Sequence, residues 1–420
     1  MTVLTSHTFI NRCALLLIAL LSFALLTTTA GTNVCLFLLL LLTPWAWKHH
    51  QWLDGEWALV KPLFLWVTLY CLWDLIINLW GGHTLSESVI AMRHVRKFFF
   101  IVLFWPFFAV AGHSRVAILT LGCTVIMLAV ANLFWSILLG HDGLMISHMP
   151  NMHGQILVGI SLLLIHSATH SHKYAKQMWF ATAILLSSLF FASTRRTGYV
   201  LLFVGGALLF ILLYLEQPKQ RKKHILWIGV CVVLALFCFA ALSPKVHERT
   251  LLVFSEYEEF FRMSPRERSQ LETSVGLRLQ YVVSSLKIVG DHIWFGVGSI
   301  TFKPLFWEIN QAMGATNPLI FAPNPHNEYL YVWATKGLLG MGLYLAIFIQ
   351  ACLIASKRKS TWQRHGMWIF VCLFLVSIFF NSMSIDMVEG HFMMLVFLCF
   401  LAPQNLEASA SSEEKKTSAC

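Results

Sequence analysis

Charged residues are scarce in this chain, which excludes an ordinary soluble protein. Only 12% of the 420 residues are Asp, Glu, Lys or Arg, while 57% are hydrophobic, and the mean hydropathy is +0.69. A typical soluble domain has about 25% charged residues. Apolar runs of about 17–25 residues, the length that a helix needs to cross a bilayer, recur along the chain. The sequence therefore predicts an all-α polytopic integral membrane protein.

Sequence signals for nucleotide or metal chemistry are also missing. The chain has no Walker-type Gly-Lys-Ser/Thr, no HExxH, no DxD and no EF-hand loop. The long polar segment 244–328 has no cysteine, which excludes a disulfide framework or a thiolate metal site there. His141, His148 and His153 lack a carboxylate-rich partner set, so a weak divalent site among them is a minor alternative. We expect no metal, no cofactor and no nucleic-acid partner.

Twelve apolar runs predict about twelve transmembrane helices. The first run resembles a cleaved signal peptide, because Arg12 precedes it and "TTTAGT" follows it, but eleven further runs favour an uncleaved helix. The predicted organisation is an N-terminal bundle of about nine helices (1–243), a loop with amphipathic helices (244–328), about three C-terminal helices (329–403) and a disordered tail (404–420). The runs lie near residues 12–28, 33–47, 59–80, 97–112, 116–139, 155–169, 177–193, 198–215, 225–243, 329–355, 367–385 and 391–403.

The positive charges of the short loops predict the orientation. With both termini in the cytoplasm, most of the short-loop Lys and Arg lie on the cytoplasmic side, as the positive-inside rule requires. The same orientation places the long loop, 244–328, on the outer face of the membrane. The cytoplasmic positive charges belong to 48–52, Arg115, 171–177, 216–224 and 356–365.

Two predicted outer loops break this rule. "MRHVRKF" carries Arg93, Arg96 and Lys97, and "STRRTGY" carries Arg195 and Arg196. Snorkelling towards lipid headgroups is an open alternative for these side chains, above all for Lys97. Arginine at the centre of a membrane helix costs about 2.5–3.5 kcal/mol, so such residues indicate function. Because a guanidinium binds phosphate through two parallel hydrogen bonds, we interpret the arginines as a site for a phosphorylated, lipid-borne ligand.

The long loop is predicted to contain helices that lie on the membrane surface. "LLVFSEYEEFFRM" is amphipathic, and Ser264 with Pro265 marks a turn or a new helix start. Gly296 and Gly298 fit a tight turn that leads into a ligand-facing loop. Residues 274–292 form a second amphipathic helix, with Leu279, Val282, Val283 and Leu286 on one face and Arg278, Tyr281 and Ser285 towards another.

A polar segment with a histidine precedes the tenth apolar run. It reads Asn324-Pro325-His326-Asn327-Glu328. The residue types leave three interpretations of His326 open: a buried structural imidazole, a metal ligand or a proton-handling group.

Three stretches in the second half of the chain resemble the O-antigen ligase and polymerase superfamily. They are "STRRTGYVLL", "SVGLRLQYVVSSLKIV…IWFGVGSITF" and "NPHNEYLYVWATKGLLGMGLYLAIF", and in order they cover about residues 185–400. The resemblance implies a protein of the bacterial inner membrane that takes a glycan from undecaprenyl pyrophosphate in the periplasmic leaflet. It implies transfer to an acceptor hydroxyl, which in ligases of this size belongs to lipid A-core.

The resemblance also assigns candidate site residues. The family's essential periplasmic histidine falls on His326, its helix-start arginine on Arg196 with Arg195 as the second candidate, and its Gly-x-Arg arginine on Arg278. Many members carry a second histidine where this chain has Asn324, so a mechanism that needs two imidazoles is in doubt.

Four further residues support this assignment, and two more arginines extend it. Asn327 and Glu328 are expected to hold the imidazole or contact sugar hydroxyls, with a surface acid beside Arg278 or Lys336 as the alternative for Glu328. Gly296 and Gly298 support the loop. Arg93 and Arg96 are further candidates for binding the donor pyrophosphate.

The implied reaction is an inverting, GT-C-like glycosyl transfer that needs neither metal nor nucleotide. Undecaprenyl pyrophosphate is already a good leaving group, so arginines that offset its charge and one proton acceptor suffice. An imidazole with a pKa near 6.5 can accept the proton of the acceptor hydroxyl at neutral pH.

Three other functions stay open on sequence alone. An O-antigen polymerase would use the same donor with a second lipid-linked glycan as acceptor, and shares these motifs. A protein-glycosylating oligosaccharyltransferase usually has a longer soluble C-terminal region than this chain. A transporter of lipid-linked glycan would be expected to show internal repeats and midplane charges, which the sequence lacks.

Overall fold

The computed structural model describes residues 2–50, 52, 55–110, 112–139, 152–170, 173–192, 196–216, 244–268, 273–314 and 325–403. Over these ranges the regular structure is helical, with no strand. This confirms the all-α prediction.

The described residues form sixteen α-helices. A 3-10 turn, Met92–His94, joins the fourth helix to the fifth, and a π-helical turn, Ser188–Ala192, continues the eighth. In chain order the helices are α1 (Thr2–Thr27), α2 (Thr29–His49), α3 (Glu56–Trp80), α4 (Leu85–Ala91), α5 (Arg96–Phe108), α6 (His113–Leu139), α7 (Met152–His170), α8 (Ala175–Ser187), α9 (Arg196–Glu216), α10 (Pro244–Arg262), α11 (Pro265–Arg268), α12 (Ser274–Asp291), α13 (Ser299–Ala312), α14 (Glu328–Ser356), α15 (Thr361–Ser377) and α16 (Met387–Leu401).

Eleven of the twelve predicted apolar runs fall on helices α1–α3, α5–α9 and α14–α16, and the run 225–243 lies outside the described residues. Within the described residues, six helical stretches are long and apolar enough to cross a membrane, and α7 and α16 contain shorter apolar stretches. The total of twelve spans stays a prediction. The six stretches are Phe9–Thr27, Thr29–His49, Glu56–Trp80, His113–Ile137, Thr197–Glu216 and Glu328–Ser356.

The run predicted at 367–385 is wrong at its C-terminal end. Helix α15 ends at Ser377, and residues 378–386 are not helical; we call them the 378–386 segment. The carbonyl of Ile378 accepts a hydrogen bond from the N–H of Glu328, and three later carbonyls accept from Lys97. Hydrogen bonds to residues remote in the chain therefore take the place of helical hydrogen bonds here. A hydropathy pattern does not detect such bonds.

Helices α7 and α9 approach closely at glycines near their first turns. A Cβ on Gly154 would lie 2.8 Å from the Cα of Gly198, so a larger residue would push the helices apart. Small residues allow helix backbones to approach in this way inside membranes. At the other ends, His170 Nε2 lies 3.1 Å from Glu216 Oε2, so the two helices run parallel.

The helices predicted for the long loop are present, as α10, α11 and α12. Ser264 caps α11: its N–H donates to Glu267 Oε2 at 2.7 Å, and the N–H of Glu267 donates to Ser264 Oγ at 3.4 Å. This reciprocal pair is a capping box. Helix α10 is tied to α12 because the N–H of Val275 donates to Glu256 Oε2 at 3.1 Å.

Helix α12 buries a different face from the apolar one that its sequence presents. Leu286 is exposed, whereas Tyr281, on the other face, is buried. The buried face packs on α13, where Asn310 Oδ1 accepts hydrogen bonds from Ser284 Oγ at 2.8 Å and from Gln280 Nε2 at 3.2 Å. A polar partner inside the interface therefore decides which face is covered.

Candidate active site

His326 lies two residues before α14 in a backbone conformation that residues other than glycine rarely adopt. Its φ is 49°, the single positive value among the non-glycine residues that the structure describes. Such backbone costs about 1–3 kcal/mol and often marks functional sites. Asn327 helps to hold it, because Oδ1 accepts the N–H of Leu330 at 3.0 Å while Nδ2 donates to the carbonyl of Phe379 at 3.2 Å. Asn327 thus caps α14 and ties it to the 378–386 segment.

The imidazole of His326 is held between two side chains. Its Nδ1 donates to Asn381 Oδ1 at 3.4 Å, and its ring stacks on Tyr281 with 5.6 Å between centroids. A proton on Nδ1, assigned from this hydrogen bond, leaves the lone pair on Nε2. Burial lowers the pKa of His326 below 6.5; the Asn381 hydrogen bond opposes this shift, and the charge of Arg278 adds to it. The imidazole is therefore neutral at neutral pH, as a general base must be.

Arg278 brings positive charge to this imidazole. It lies on α12 three residues before Tyr281, so the two residues are neighbours on the helix surface. Burial raises the pKa of Tyr281, and Arg278 opposes that shift. The Arg278 side chain is exposed. The structure therefore brings together Arg278 and His326, which are 48 positions apart in the sequence.

Glu328 is a buried anchor of α14. Its side chain is fully buried, and its Oε1 accepts a hydrogen bond from the hydroxyl of Tyr344 at 2.8 Å. The N–H of Ser384 donates to Oε2 at 2.8 Å, and the Ser384 hydroxyl also donates to the carboxylate. The interpretation of Glu328 as a surface acid is wrong, because these partners enclose the carboxylate inside the protein.

Lys97 is buried too, which makes the snorkelling interpretation wrong for this residue. Only 2% of it is exposed, and its ammonium donates to the carbonyls of Ser384, Ile385 and Asp386 at 2.7, 2.6 and 2.6 Å. A Cβ on Gly390 would clash with the Lys97 side chain, so the glycine leaves room for it. The start of α5 is thereby fixed to the 378–386 segment.

The fixed position of Lys97 also places Arg93 and Arg96. Arg96 begins α5, Arg93 lies in the preceding 3-10 turn, and both side chains are exposed. Between them, the His94 ring lies 6.5 Å from the ring of Tyr331 in α14. Burial, followed by the surrounding cations, lowers the pKa of His94 to about 4. The two arginines therefore lie near α14, on the same side of the protein as His326.

A break in α14 receives the loop that contains Gly296 and Gly298. Gly337 has φ 66° and ψ −172°, and a Cβ there would clash with the loop backbone. Both loop glycines have positive φ, 74° and 82°, which confirms the tight turn, while ligand contact by this loop stays a prediction. Four hydrogen bonds satisfy the backbone groups freed by the break: Val297 N–H to Ala334 O, Gly298 N–H to Thr335 O, Leu338 N–H to Ile293 O and Leu339 N–H to Trp294 O, at 2.9, 2.8, 2.9 and 3.3 Å.

An ion pair is buried beside this break. The Lys336 ammonium lies 2.9 Å from Asp74 Oδ1, and both side chains are at most 1% exposed. The ammonium also lies 5.6 Å from the ring centroids of Tyr70 and Tyr331. Removing one charge of a buried pair leaves the other uncompensated, which costs far more than the loss of an exposed pair. The pair therefore fixes α14 against α3 at the height of the loop.

The start of α9 lies on the same side of the bundle as His326. Arg196 is its first residue, and two residues later Gly198 packs on Gly154 of α7. The next residue of α7, Gln155, accepts a hydrogen bond through Oε1 from the hydroxyl of Ser377 at 3.5 Å. Ser377 directly precedes the 378–386 segment, which holds Asn327 and Glu328. The start of α9, which carries the candidate arginine, is thus connected through α7 and Ser377 to the segment that holds the start of α14.

Several sequence predictions fall on residues that the structure does not describe. Arg195, Asn324, His141 and His148 lie outside the described residues. The helix backbones include Arg196 and His153, but their side chains are outside what is described. The roles assigned to them stay predictions.

Four residues that build this region were not among the predicted site residues. Tyr281 and Asn381 hold the imidazole, and Asp74 with Lys336 forms the buried ion pair. Asp74 could have been recognised from the sequence, since an acid inside an apolar run is costly unless it has a partner. Asn381 could not, because it lies in a stretch expected to be part of a membrane helix.

We use the name His326 face for the region formed by His326, Arg278, the 378–386 segment, the starts of α5 and α9, and the 293–298 loop. Six of the described helical stretches are apolar enough to cross a membrane, and Arg93, Arg96 and Arg278 of this face are exposed, as expected for a multi-pass membrane protein with a cationic site. Residues 181–345, which run from α8 into α14, match the family model described as O-antigen ligase. The match confirms the resemblance and supports membership of the O-antigen ligase and polymerase superfamily, whose members are glycosyltransferase-like enzymes. No curated protein matches the chain.

Proposed function

We propose that the protein is an O-antigen ligase, which transfers a glycan from undecaprenyl pyrophosphate to a hydroxyl of lipid A-core. In this proposal about twelve helices span the bacterial inner membrane, and the His326 face is directed to the periplasm. One observation carries the proposal: within the matched segment, His326 is a neutral imidazole held by Asn381 and Tyr281 beside the cationic Arg278.

The proposed reaction is a single displacement at the sugar C1 atom. The acceptor oxygen forms a bond to C1 while the bond from C1 to the pyrophosphate oxygen breaks, with inversion. The acceptor proton passes to Nε2 of His326, and the electron pair of the broken bond leaves with undecaprenyl pyrophosphate. A positioned base of this kind contributes about 10²–10⁴-fold to the rate.

Arginines supply the other requirement, which is positive charge for the departing pyrophosphate. Arg196 and Arg278 are the principal candidates, with Arg195, Arg93 and Arg96 as further donors of hydrogen bonds. Guanidinium groups placed before the reaction stabilise developing negative charge without the cost of reorganising solvent. No step requires a metal ion or a nucleotide.

The neighbouring polar residues act on the base indirectly. Asn327 caps α14 beside His326, and Glu328 fixes the 378–386 segment that carries Asn381. Gly296 and Gly298 shape the loop that enters the break in α14. We assign Asn327 and Glu328 as positioning residues, which set the place of the imidazole rather than contact the sugar, and Gly296 and Gly298 as residues that position the loop.

Deletion of the gene tests the proposed function, if lipopolysaccharide and lipid-linked glycan are analysed together. Loss of a ligase leaves bare lipid A-core while long polymer accumulates on the carrier. Loss of a polymerase leaves core capped with a single repeat, and that result would replace the ligase proposal by the polymerase. A transporter is favoured if the purified protein forms no product from donor and acceptor.

Complementation with variants tests the site. His326→Ala and Arg196→Ala are expected to abolish ligation while the protein still inserts into the membrane. Arg262→Ala is the matched control, since Arg262 is an exposed arginine of the same loop whose partner is Glu258 at 3.1 Å. Wild-type amounts of ligated product with either site variant would contradict the assignment.

A further inference from the structure

A second cluster of titratable side chains lies at the end of the bundle opposite the His326 face. Helices α7 and α9 begin near the 378–386 segment and end at His170 and Glu216. Helix α15 runs the other way, and His365 lies in its first turns. Three helices that are separate in the sequence therefore bring histidines and a carboxylate to one place.

The distances within this cluster are short. His166 Nε2 lies 3.0 Å from His365 Nδ1, and His365 Nε2 lies 3.5 Å from Glu216 Oε1. One nitrogen or oxygen from each of these three residues lies within 4.8 Å of the others. The second carboxylate oxygen, Oε2, lies 3.1 Å from His170 Nε2.

The two imidazoles of the cluster are shielded from solvent, whereas Glu216 lies at its exposed edge. His166 is 2% exposed and His365 is 7% exposed, while the Glu216 side chain is 25% exposed. Two imidazoles and a carboxylate, with one open side, form the ligand set of many zinc sites. Nitrogen and oxygen ligands bound at about 2.0–2.2 Å in a tetrahedron lie about 3.3 Å apart. The two short separations involve different nitrogens of His365, and with one ligand atom from each residue the three atoms lie within 4.8 Å of one another.

We propose that His166, Glu216 and His365 bind one divalent transition-metal ion, with Zn²⁺ as the best match to this ligand set. His365 offers one nitrogen to the ion, and small rotations of the side chains bring the three ligand atoms together. His170 orients the carboxylate by donating to its second oxygen, as residues around a metal site commonly do. The fourth coordination position takes water from the exposed side of Glu216.

The ion would act as a clip between α7, α9 and α15. Helix α9 has 21 residues, so its two ends are about 30 Å apart, and its first residue is Arg196. The metal is therefore remote from the proposed chemistry, and its role is to fix the helix that carries the candidate arginine. Binding of the ion does not depend on the proposed transfer reaction.

No established metal motif marks this site in the sequence. The available signal is "HSATH", in which His166 and His170 are four residues apart on one helix face. The other two residues come from helices about 50 and 200 positions later, and only the fold brings them together.

Direct metal binding tests the proposal. The protein is purified with an affinity tag that contains no histidine, stripped with chelator, loaded with Zn²⁺ alone, desalted and assayed for bound zinc. We expect one Zn²⁺ per chain, a higher unfolding temperature with Zn²⁺, and visible absorption typical of tetrahedral coordination when Co²⁺ replaces zinc. A stripped wild-type protein that takes up neither ion would overturn the proposal and favour a chain of hydrogen bonds in this cluster.

Variants locate the ion. His166→Gln and Glu216→Gln should lose the bound zinc and its thermal effect, whereas His170→Gln should weaken binding by about 10–100-fold. His49→Gln is the control, and it should bind zinc like the wild type, as should His326→Ala. Equal zinc binding by His166→Gln and the wild type would contradict the assignment. If His166→Gln fails to fold, the Co²⁺ spectrum of the wild type and the graded loss in His170→Gln decide.

Discussion

The charges of the His326 face fall into two groups that differ in burial. Lys97, Lys336 and Glu328 are buried, and each is bonded to carbonyls, hydroxyls or an opposite charge of the protein. Arg96 and Arg278 belong to the same face, but their side chains are exposed. Groups of the protein satisfy the buried charges, which hold the site together, whereas the exposed arginines present guanidinium groups where an anionic ligand can reach them. Charge alone does not identify a binding residue in a membrane protein; burial separates the two roles.

Among substitutions of the buried charges, Lys336→Met is expected to lower the stability of the fold most. It leaves the Asp74 carboxylate buried without its cation, which costs about 3–5 kcal/mol. Size-exclusion chromatography in detergent after heating measures the folded fraction. The double variant Asp74→Leu/Lys336→Met removes both charges and should recover much of the loss. No recovery in the double variant would show that Lys336 stabilises the fold by some means other than this pair.

The adjacent pair Lys97 and Arg96 gives the sharpest contrast between the two groups. Lys97→Met removes a cation that donates to three carbonyls, and we expect a loss of about 3 kcal/mol in folding stability. Arg96→Met should leave the unfolding temperature unchanged and raise the KM for the lipid-linked donor. Both are measured on purified protein, by thermal unfolding and by steady-state transfer. Equal destabilisation by the two variants would contradict the distinction between buried charges that stabilise the fold and exposed charges that bind the ligand.

Arg278→Lys tests whether the exposed arginine binds phosphate through its fork of two donors. Lysine keeps the charge but cannot make the bidentate contact. Loss of one charge-assisted hydrogen bond of about 1.5 kcal/mol predicts a KM for the donor roughly tenfold higher. Thermal stability should not change, because the side chain is exposed. A KM equal to that of the wild type would show that only the charge matters.

The smallest expected effect is a pair of opposite shifts in the pH profile. The base is the neutral imidazole, so the rate falls as the pH drops through the pKa of His326, which lies below 6.5. Arg278→Ala removes a cation that lowers this pKa, so the acid limb of kcat/KM should move to higher pH. Asn381→Ala removes a hydrogen bond that raises the pKa, so the limb should move to lower pH. Shifts in the same direction would mean that His326 does not set this limb.

Much of the fold could be predicted from the sequence because it depends on local pattern. The apolar runs predicted eleven of the described helices, and Ser264 with Pro265 predicted a cap and helix start that the structure has. His326 and Arg278 were identified through motif order rather than physical chemistry. Their proximity follows from the fold and was not visible in the sequence.

The rest could not be predicted because it depends on partners remote in the chain. Lys97 binds carbonyls nearly 290 positions later, so the local pattern gave no reason to bury it. The break at Gly337 is stable only because the 293–298 loop satisfies its backbone groups. Asn381 was assigned to a helix, and the hydrogen bonds of the 378–386 segment overrode that hydropathy signal. Tertiary contacts determine these features, and neither the hydrophobic periodicity nor the composition of the sequence indicates them.

The rate of glycan transfer by purified protein in lipid nanodiscs tests the central claim most directly, with the lipid-linked donor and lipid A-core as substrates. His326→Gln is expected to lower kcat by at least about 100-fold at an unchanged folded fraction, while His49→Gln keeps the wild-type rate. A wild-type rate for His326→Gln would contradict the account, because the proposed base would then be unnecessary.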